Sequence, residues 1–347
     1  MSANTNASRT AFGWLFQTNA ALVLMLRNID EAESVRVEGE FEDIEIRYAD
    51  GSVDYAQAKA RTTNTPGDNS TTRFSDAIHT LAEDARKADC RRALFVTNDV
   101  YPLGKSHSDI QFESDTMLSF NELSSKQQDY VLDQFRQFAV DNPDVAVDIN
   151  AIKNHFSVYV MWFYGEDERT RTRQVNQAIQ EFFGRIDSRL DSRFTQRLYN
   201  SWSTQLRMNE ATVNTDLTIE KSKFIWPLIV VLIEVHEDDE LFEDIDEEMR
   251  QDILECYGQV IDEATDRFDL ITKIQTDYEA YRRTHRGNPK DMRKAFTRDH
   301  VAIYRDLVGA DAISDEEADY VTALIIKKVI TKKDMISKVR EEVNLAD

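Results

Sequence analysis

Apolar residues recur at helical spacing over residues 8–28. Phe12, Leu15, Phe16, Leu22, Val23 and Leu26 form one stripe and predict a first helix. After a break over Asn28–Glu33 the period changes to alternation, with apolar side chains at odd positions (Val35, Val37) and then at even ones (Ile44, Ile46, Tyr48). The stretch Val35–Arg61 reads as two short strands and a tight turn, and a change of phase between Gly39 and Asp43 predicts that the chain bends or bulges there. Asp50-Gly51-Ser52 then reads as a short hairpin loop, with Gly51 free to take positive φ, and the second strand runs on towards Arg61. With that loop, Asp43 faces Lys59 and Glu45 faces Gln57. The opposite face carries Ile44, Ile46, Ala56 and Ala58, apolar enough to lie under a helix.

Residues 62–72, TTNTPGDNSTT, are a polar connection that either tracks a nucleic-acid backbone or simply crosses the surface. A helix over 73–89 and an apolar strand over 93–98 follow. The stretch 103–118, which includes His107, reads as a lid or surface excursion, and 124–139 as a helix. Residues 155–163, HFSVYVMWF, are apolar on both faces and predict a buried strand. Beyond Gly165 the pattern is helical throughout, over about 168–208, 217–236, 243–265, 267–285, 289–308 and 315–342. The expected fold class is therefore α+β, with an α/β domain over 1–165 and an all-helical domain over 166–347. Trp14, Trp162, Trp202 and Trp226 have apolar neighbours and read as core.

Composition narrows the function classes. The 347 residues suffice for two domains with ample core. Cys90 and Cys256 lie far apart and in no metal-like spacing, which fits a reducing cytoplasm. The first residues, MSANTNASRT, lack the basic and apolar regions of a secretory signal. The longest apolar run, Phe224–Ile233, contains Pro227 and is too short to span a bilayer, so no membrane is expected. The histidines are scattered, and neither a Gly-rich phosphate loop nor a G-x-S-x-G elbow is present.

A formal net charge of −22 argues against a general polyanion binder, because non-specific DNA affinity comes from Lys and Arg displacing counterions. Basic residues are concentrated instead. Residues 169–207 hold eight arginines and no lysine, and Arg185, Arg189, Arg193 and Arg197 recur every four residues, as along one helix face. Such a face either contacts phosphates or is salt-bridged within the protein or to a partner. A second basic stretch runs from Arg282 to Arg298. Between them Glu237–Asp252 is strongly acidic, either a solvated segment or a DNA mimic that covers a basic groove.

Candidate chemistry gathers on the hairpin. A carboxylate (Asp43) beside a lysine (Lys59), next to a bend, suits metal-dependent phosphodiester hydrolysis, although an amphipathic hairpin with a wet outer face has the same spacing. The order Gly13-x-x-Phe16-Gln17, Glu40-x-x-Asp43-Ile44, Gln57-x-Lys59 resembles the PD-(D/E)xK nuclease superfamily over about residues 8–165. More narrowly, it is similar to the double-stranded DNA endonuclease domain of CBASS effectors and of the Lamassu effector subunit, where QxK often replaces (D/E)xK. The resemblance implies a restriction-endonuclease-like domain, with Asp43, Gln57 and Glu40 at a Mg²⁺ (or Mn²⁺) site and Lys59 as catalytic lysine. Gln17 and Glu45 would support them, and Glu38, Glu40 or Glu45 would add the carboxylate that Gln57 lacks. It also implies cleavage of double-stranded DNA in anti-phage defence. CBASS relatives carry a mixed α/β cyclic-nucleotide sensor, which the helical second half does not resemble, so the Lamassu-type arrangement fits better. There an SMC-like ATPase and an accessory subunit restrain the effector, and the active form is expected to be a homo-oligomer. The rival is a nuclease fold without catalysis, kept as a DNA-binding or assembly subunit.

Overall fold

The computed structural model describes residues 3–38, 42–62, 72–108, 111–164, 167–187, 192–212, 214, 217–241, 247–308 and 315–345. Helix α1 (Ala3–Arg27) leads into an antiparallel meander of β1 (Ala32–Val37), β2 (Ile44–Tyr48) and β3 (Val53–Lys59). After α2 (Thr72–Asp84), β4 (Cys90–Thr97) pairs parallel with β3. β5 (Thr116–Ser119), α3 (Ser125–Asp141) and α4 (Ile149–His155) precede β6 (Phe156–Val160), which is parallel to β4 and antiparallel to β5. α5 (Glu168–Arg171), α6 (Arg173–Ile186) and α7 (Ser192–Glu210) lead to β7 (Ile219–Glu220), antiparallel to β1. The seven strands form one mixed sheet in the order β5-β6-β4-β3-β2-β1-β7.

Strand alternation assigns the two faces of the meander. Val53 and Tyr55 enter a core built with Phe74, Ala77, Ile78 and Leu81, which recur at helical spacing on α2. Phe74 is its aromatic hub, with ring centroids 5.4 Å from Phe95, 5.7 Å from Phe156 and 6.1 Å from Phe135. On the other face Ile44, Ile46 and Ala56 are buried where α1 crosses β2 and β3. The change of phase between the first two strands is what puts Val35 and Val37 beside Ile46 and Ile44.

The chain forms two compact units, one over residues up to Pro227 together with Val343–Leu345, the other over Leu228–Glu342. The division expected near residue 165 thus falls inside the first unit. α6 and α7 pack on α1, and α7 also on β1, so the helices after 165 complete the sheet domain. Two expectations are corrected. The helix expected over 168–208 is three helices, divided at Thr172 and at Asp187, which is extended and caps α6 through its N–H to the Phe183 carbonyl at 2.8 Å. A strand does occur after Gly165, but the two residues of β7 are too few to show a period.

α8 (Lys221–Leu241) contains Pro227, at which the division falls. Proline cannot donate to the carbonyl four residues back. That carbonyl, of Lys223, accepts from Gln205 Nε2 at 3.3 Å, and the Phe224 carbonyl accepts from Trp202 Nε1 at 2.6 Å. Trp202 is the one tryptophan that is core; Trp14, Trp162 and Trp226 are 54%, 38% and 55% exposed. Trp14 lies off the apolar stripe of its own helix, which spacing alone shows and apolar neighbours in sequence do not.

The second unit continues α8 and adds α9 (Glu247–Asp266), α10 (Phe268–Thr284), α11 (Pro289–Val308) and α12 (Asp315–Glu342). α12 packs on α9, α10 and α11 around Ile274, Tyr278, Phe296, Tyr304 and Ile325. These helices fall close to the expected ranges, so mixed α+β with a helical C-terminal region describes the chain.

Truncating Phe74 to Ala removes the ring shared by β4, α3 and β6. Its expected cost is about 3–5 kcal/mol, read as a lowered denaturation midpoint, and a loss below about 1 kcal/mol would contradict this account of the core.

Candidate active site

The loop between β2 and β3 sets the register on which the site depends. Tyr48 N–H donates to the Ser52 carbonyl at 3.0 Å and Gly51 takes φ +82°, so the loop is Ala49–Gly51, one residue earlier than expected. Ile44 pairs with Ala56 and Glu45 with Tyr55. Asp43 therefore stands opposite Gln57 rather than Lys59, and Glu45 opposite Tyr55 rather than Gln57. The displacement changes the pairing by two residues, so each side chain keeps its face.

Asp43, just before β2, meets its expected partners. Its Oδ2 accepts from the Gln57 amide, from Ala58 N–H at 2.8 Å and from Lys59 Nζ at 3.5 Å. No described donor is bonded to Oδ1. Gln57 is 5% exposed, whereas Asp43 and Lys59 are only half-buried, so the cluster has a solid base and an open side. Gln17 of α1 supports the bend, donating to the Asp43 carbonyl at 3.0 Å and to Glu38 Oε1 at 2.8 Å. Glu38 closes the bend through its N–H to the Asp43 carbonyl at 2.9 Å and adopts φ +53°, a conformation rare outside glycine. Arg36, fully buried, donates to the Glu38, Thr212 and Leu217 carbonyls at 3.0, 3.0 and 2.8 Å. Burial lowers its pKa, and Glu45 and Glu38 oppose that. Glu45 is paired with Arg47 at 2.9 Å, and Glu40 lies outside the described residues.

The end of β4 fixes the backbone that follows Lys59. Thr97 Oγ1 donates to the Lys59 carbonyl at 2.7 Å. Asn98 accepts from Arg61 N–H at 2.7 Å and donates to the Arg61 and Phe163 carbonyls at 2.9 and 3.0 Å. Asp99 pairs with Arg61 Nη1 at 2.9 Å. Thr-Asn-Asp at the end of an apolar strand was the sequence signal for this latch, since such residues bond readily to backbone.

Sequence reasoning also missed a buried pair of carboxyls. Glu42, 4% exposed, and Asp84, fully buried, both meet Lys87 Nζ, at 3.3 and 2.6 Å. Lys87 lies 3.8 Å above the Tyr55 ring, the residue opposite Glu45. One lysine balances one carboxylate, so the pair retains a proton. Burial, then Asp84, push the Glu42 pKa up to about 10, and burial raises Asp84 as well. Nothing in the spacing of residues 42, 84 and 87 signals this.

Among the described residues no group of three or more His, Cys, Asp or Glu is arranged to hold a metal ion. A Mg²⁺ ion does not need one, because it keeps several waters and commonly binds through one or two carboxylates plus substrate phosphates. The unpaired Asp43 Oδ1 and the Gln57 side-chain oxygen, which accepts no bond from a described residue, fit such a minimal site.

The arginine repeat does not lie along one helix. Arg185 ends α6 and is held by both Asp30 oxygens at 2.8 and 2.9 Å, while Arg193 and Arg197 lie on α7. Arg189 lies outside the described residues. Arg171 stands over Phe12 and Phe163. In the second basic stretch Arg293 and Arg282 converge on Asp334 at 3.0 and 3.9 Å. The polar loop over 63–71 and the acidic side chains of 237–252 lie outside the description.

No family model and no curated protein matches the chain. Among solved structures, the Cap4 SAVED/CARF-domain containing receptor of Acinetobacter baumannii with the cyclic trinucleotide 3'3'3'-cAAA is 14% identical, at TM-score 0.40 over 65% of this chain and 46% of that one. The Cap4 SAVED/CARF-domain containing receptor of Moraxella osloensis is 16% identical, at TM-score 0.37 over 66% of this chain and 48% of that one. The chain thus spans under half the length of these receptors. A likeness this slight carries neither fold nor function across.

The proton shared at Glu42 makes stability depend on pH. Because its folded pKa is raised, the contribution is fully present below the ordinary value of 4.5 and is lost as pH rises towards about 10. Glu42→Gln keeps a donor to Asp84 without the titration. Its melting temperature should therefore fall less than that of the wild type between pH 6 and 9 (roughly the span between the two pKa values), and equal slopes would refute the shared proton.

Proposed function

We propose that the first unit is a metal-dependent double-stranded DNA endonuclease with a restriction-endonuclease-like site, acting as an anti-phage defence effector. The observation that carries the reading is the convergence of Gln57, Ala58 N–H and Lys59 on one oxygen of Asp43, with its other oxygen unpaired. Asp43 and the Gln57 oxygen would hold Mg²⁺ or Mn²⁺. When bound, the ion neutralises the scissile phosphate and acidifies an attacking water. Gln57 and Ala58 N–H fix the Asp43 carboxylate, so the ligand needs no reorganisation as charge develops. The Lys59 ammonium, 3.5 Å from that carboxylate and open to solvent, orients the attacking water and offsets charge building on the phosphate. The defence role and restraint by an SMC-like ATPase with an accessory subunit rest on the sequence resemblance.

A second reading keeps the fold and drops catalysis. It is favoured by Gln57, which turns its N–H₂ towards Asp43 and brings no charge to a metal. Plasmid cleavage in Mg²⁺ separates the two readings. Asp43→Ala and Lys59→Ala should each lower the cleavage rate at least about 100-fold, the scale of lost electrostatic or proton-transfer groups, with the fold unchanged by circular dichroism. Full activity in either variant removes the assignment.

Gln57→Glu offers the metal a charged oxygen at the same place. It should retain or raise cleavage, whereas Gln57→Ala should abolish it. An inactive, folded Glu variant would mean that Gln57 acts through its N–H₂ on Asp43.

With a net charge of −22 and with Arg185, Arg282 and Arg293 paired internally, one copy offers DNA little continuous positive surface. Two copies would place two sites across a duplex. Specific activity should accordingly rise with protein concentration, and a monomer of constant specific activity by light scattering in the presence of DNA would exclude control by assembly.

A further inference from the structure

A cleft of about 650 Å³ opens between α1 and α7, lined by Ala11, Trp14, Leu15, Glu38, Arg207 and Glu210 among others. We infer that it binds an organic cation, a guanidinium or ammonium head on a short apolar stem. Its volume is in the range of small-molecule sites. Ala11, Leu15 and the half-exposed Trp14 ring supply an apolar wall on which such a stem can lie. An indole face also attracts a cation through its quadrupole.

Glu38 and Glu210 also line the cleft. Glu210 Oε2 meets Thr18 Oγ1 at 3.2 Å, and its Oε1 is buried with no hydrogen-bond partner. Thr18 has a single hydroxyl proton, and the Trp14 carbonyl, at 3.0 Å, competes for it. Glu210 is thus short of donors. Burial raises its pKa, the Thr18 bond opposes this, Glu38 adds to the rise, and exposed Arg207 offsets it least. A ligand with several N–H donors and a positive charge answers both the missing donor and the repulsion. A small turn of the Glu210 carboxylate about its last torsion, which is broad and two-fold, presents the unpaired oxygen to the cleft.

Glu38 is shared with the Asp43 cluster. Its Oε1 holds the Gln17 amide, and the same amide nitrogen holds the Asp43 carbonyl. A cation on Glu38 therefore pulls on the group that seats Asp43, which gives the cleft a route to the nuclease site. The binding claim stands without the nuclease reading; only this route rests on it.

The test is calorimetric titration of the full chain with n-butylguanidinium, with neutral n-butylurea as the control. Saturable one-to-one binding is expected for the cation and none for the urea. Glu210→Gln should weaken it at least about tenfold, the scale of one hydrogen bond between charged groups. Trp14→Ala, at an exposed position, provides a second variant and should also weaken it. Acetyl-Gly-Arg-Gly-amide distinguishes the source. Tighter binding than n-butylguanidinium assigns the cleft to an arginine of a polypeptide, and weaker binding assigns it to a free small cation. No saturable binding of either probe by the wild type, equal binding of the urea, or affinity unchanged in Glu210→Gln overturns the proposal. Plasmid cleavage with and without n-butylguanidinium then reads the route to Asp43 separately, and lack of an effect there removes the route alone.

Discussion

The bend between β1 and β2 is the constraint on which the site depends. Its closure relies on one amide, Gln17 Nε2, which bonds both the Asp43 carbonyl and Glu38 Oε1. Glu38 holds a left-handed backbone conformation that costs a non-glycine residue of order 1 kcal/mol. The buried Arg36 guanidinium holds the Glu38 carbonyl from the other side, and Asn209 of α7 accepts the Val37 N–H at 3.0 Å. Strand, first helix and seventh helix thus converge on Val37, Glu38 and Asp43. That convergence explains why α7 belongs with the sheet, and α6 packs on α1 and α7.

Charge is arranged in layers around this bend. The outer, half-buried layer carries Asp43 and Lys59. Near it on the chain lies the buried Glu42–Asp84–Lys87 cluster, which keeps one proton because a second charge has no partner at low dielectric. Neutral Gln57, in place of a second acid, limits the negative charge that a single lysine must balance. Within the arginine-rich stretch Arg185 is spent on Asp30 and Arg171 on two aromatic faces. On the proposed nuclease reading, DNA affinity would come from the combination of copies or from a partner.

Much of the fold was legible in the sequence because it was written in long periods. The stripe on α1, the alternation along Val35–Lys59 and the helices of the second unit all follow from spacing, although three strands stand where the spacing gave two. The short elements escaped, since two-residue β7 and seven-residue α4 show no period. The long arginine-rich helix failed at Asp187, an extended residue that spacing by four ignores. At the site, the meeting of Asp43, Gln57 and Lys59 was readable, but its register was not. Gly51 fits either of two adjacent three-residue loops, and only the Tyr48 to Ser52 bond decides between them. Glu42, Asp84 and Lys87 come together through the β3–α2–β4 crossover, a long-range consequence of topology.

The central claim is that Asp43 is held ready, through its unpaired oxygen, to bind a metal ion against a DNA phosphate. Paramagnetic resonance of Mn²⁺ titrated into the protein with a short DNA duplex tests it directly. The account predicts one ion per chain in the presence of duplex, lost in Asp43→Asn and retained in Lys59→Ala. Mn²⁺ binding that Asp43→Asn leaves unchanged, or no binding with duplex present, would contradict it.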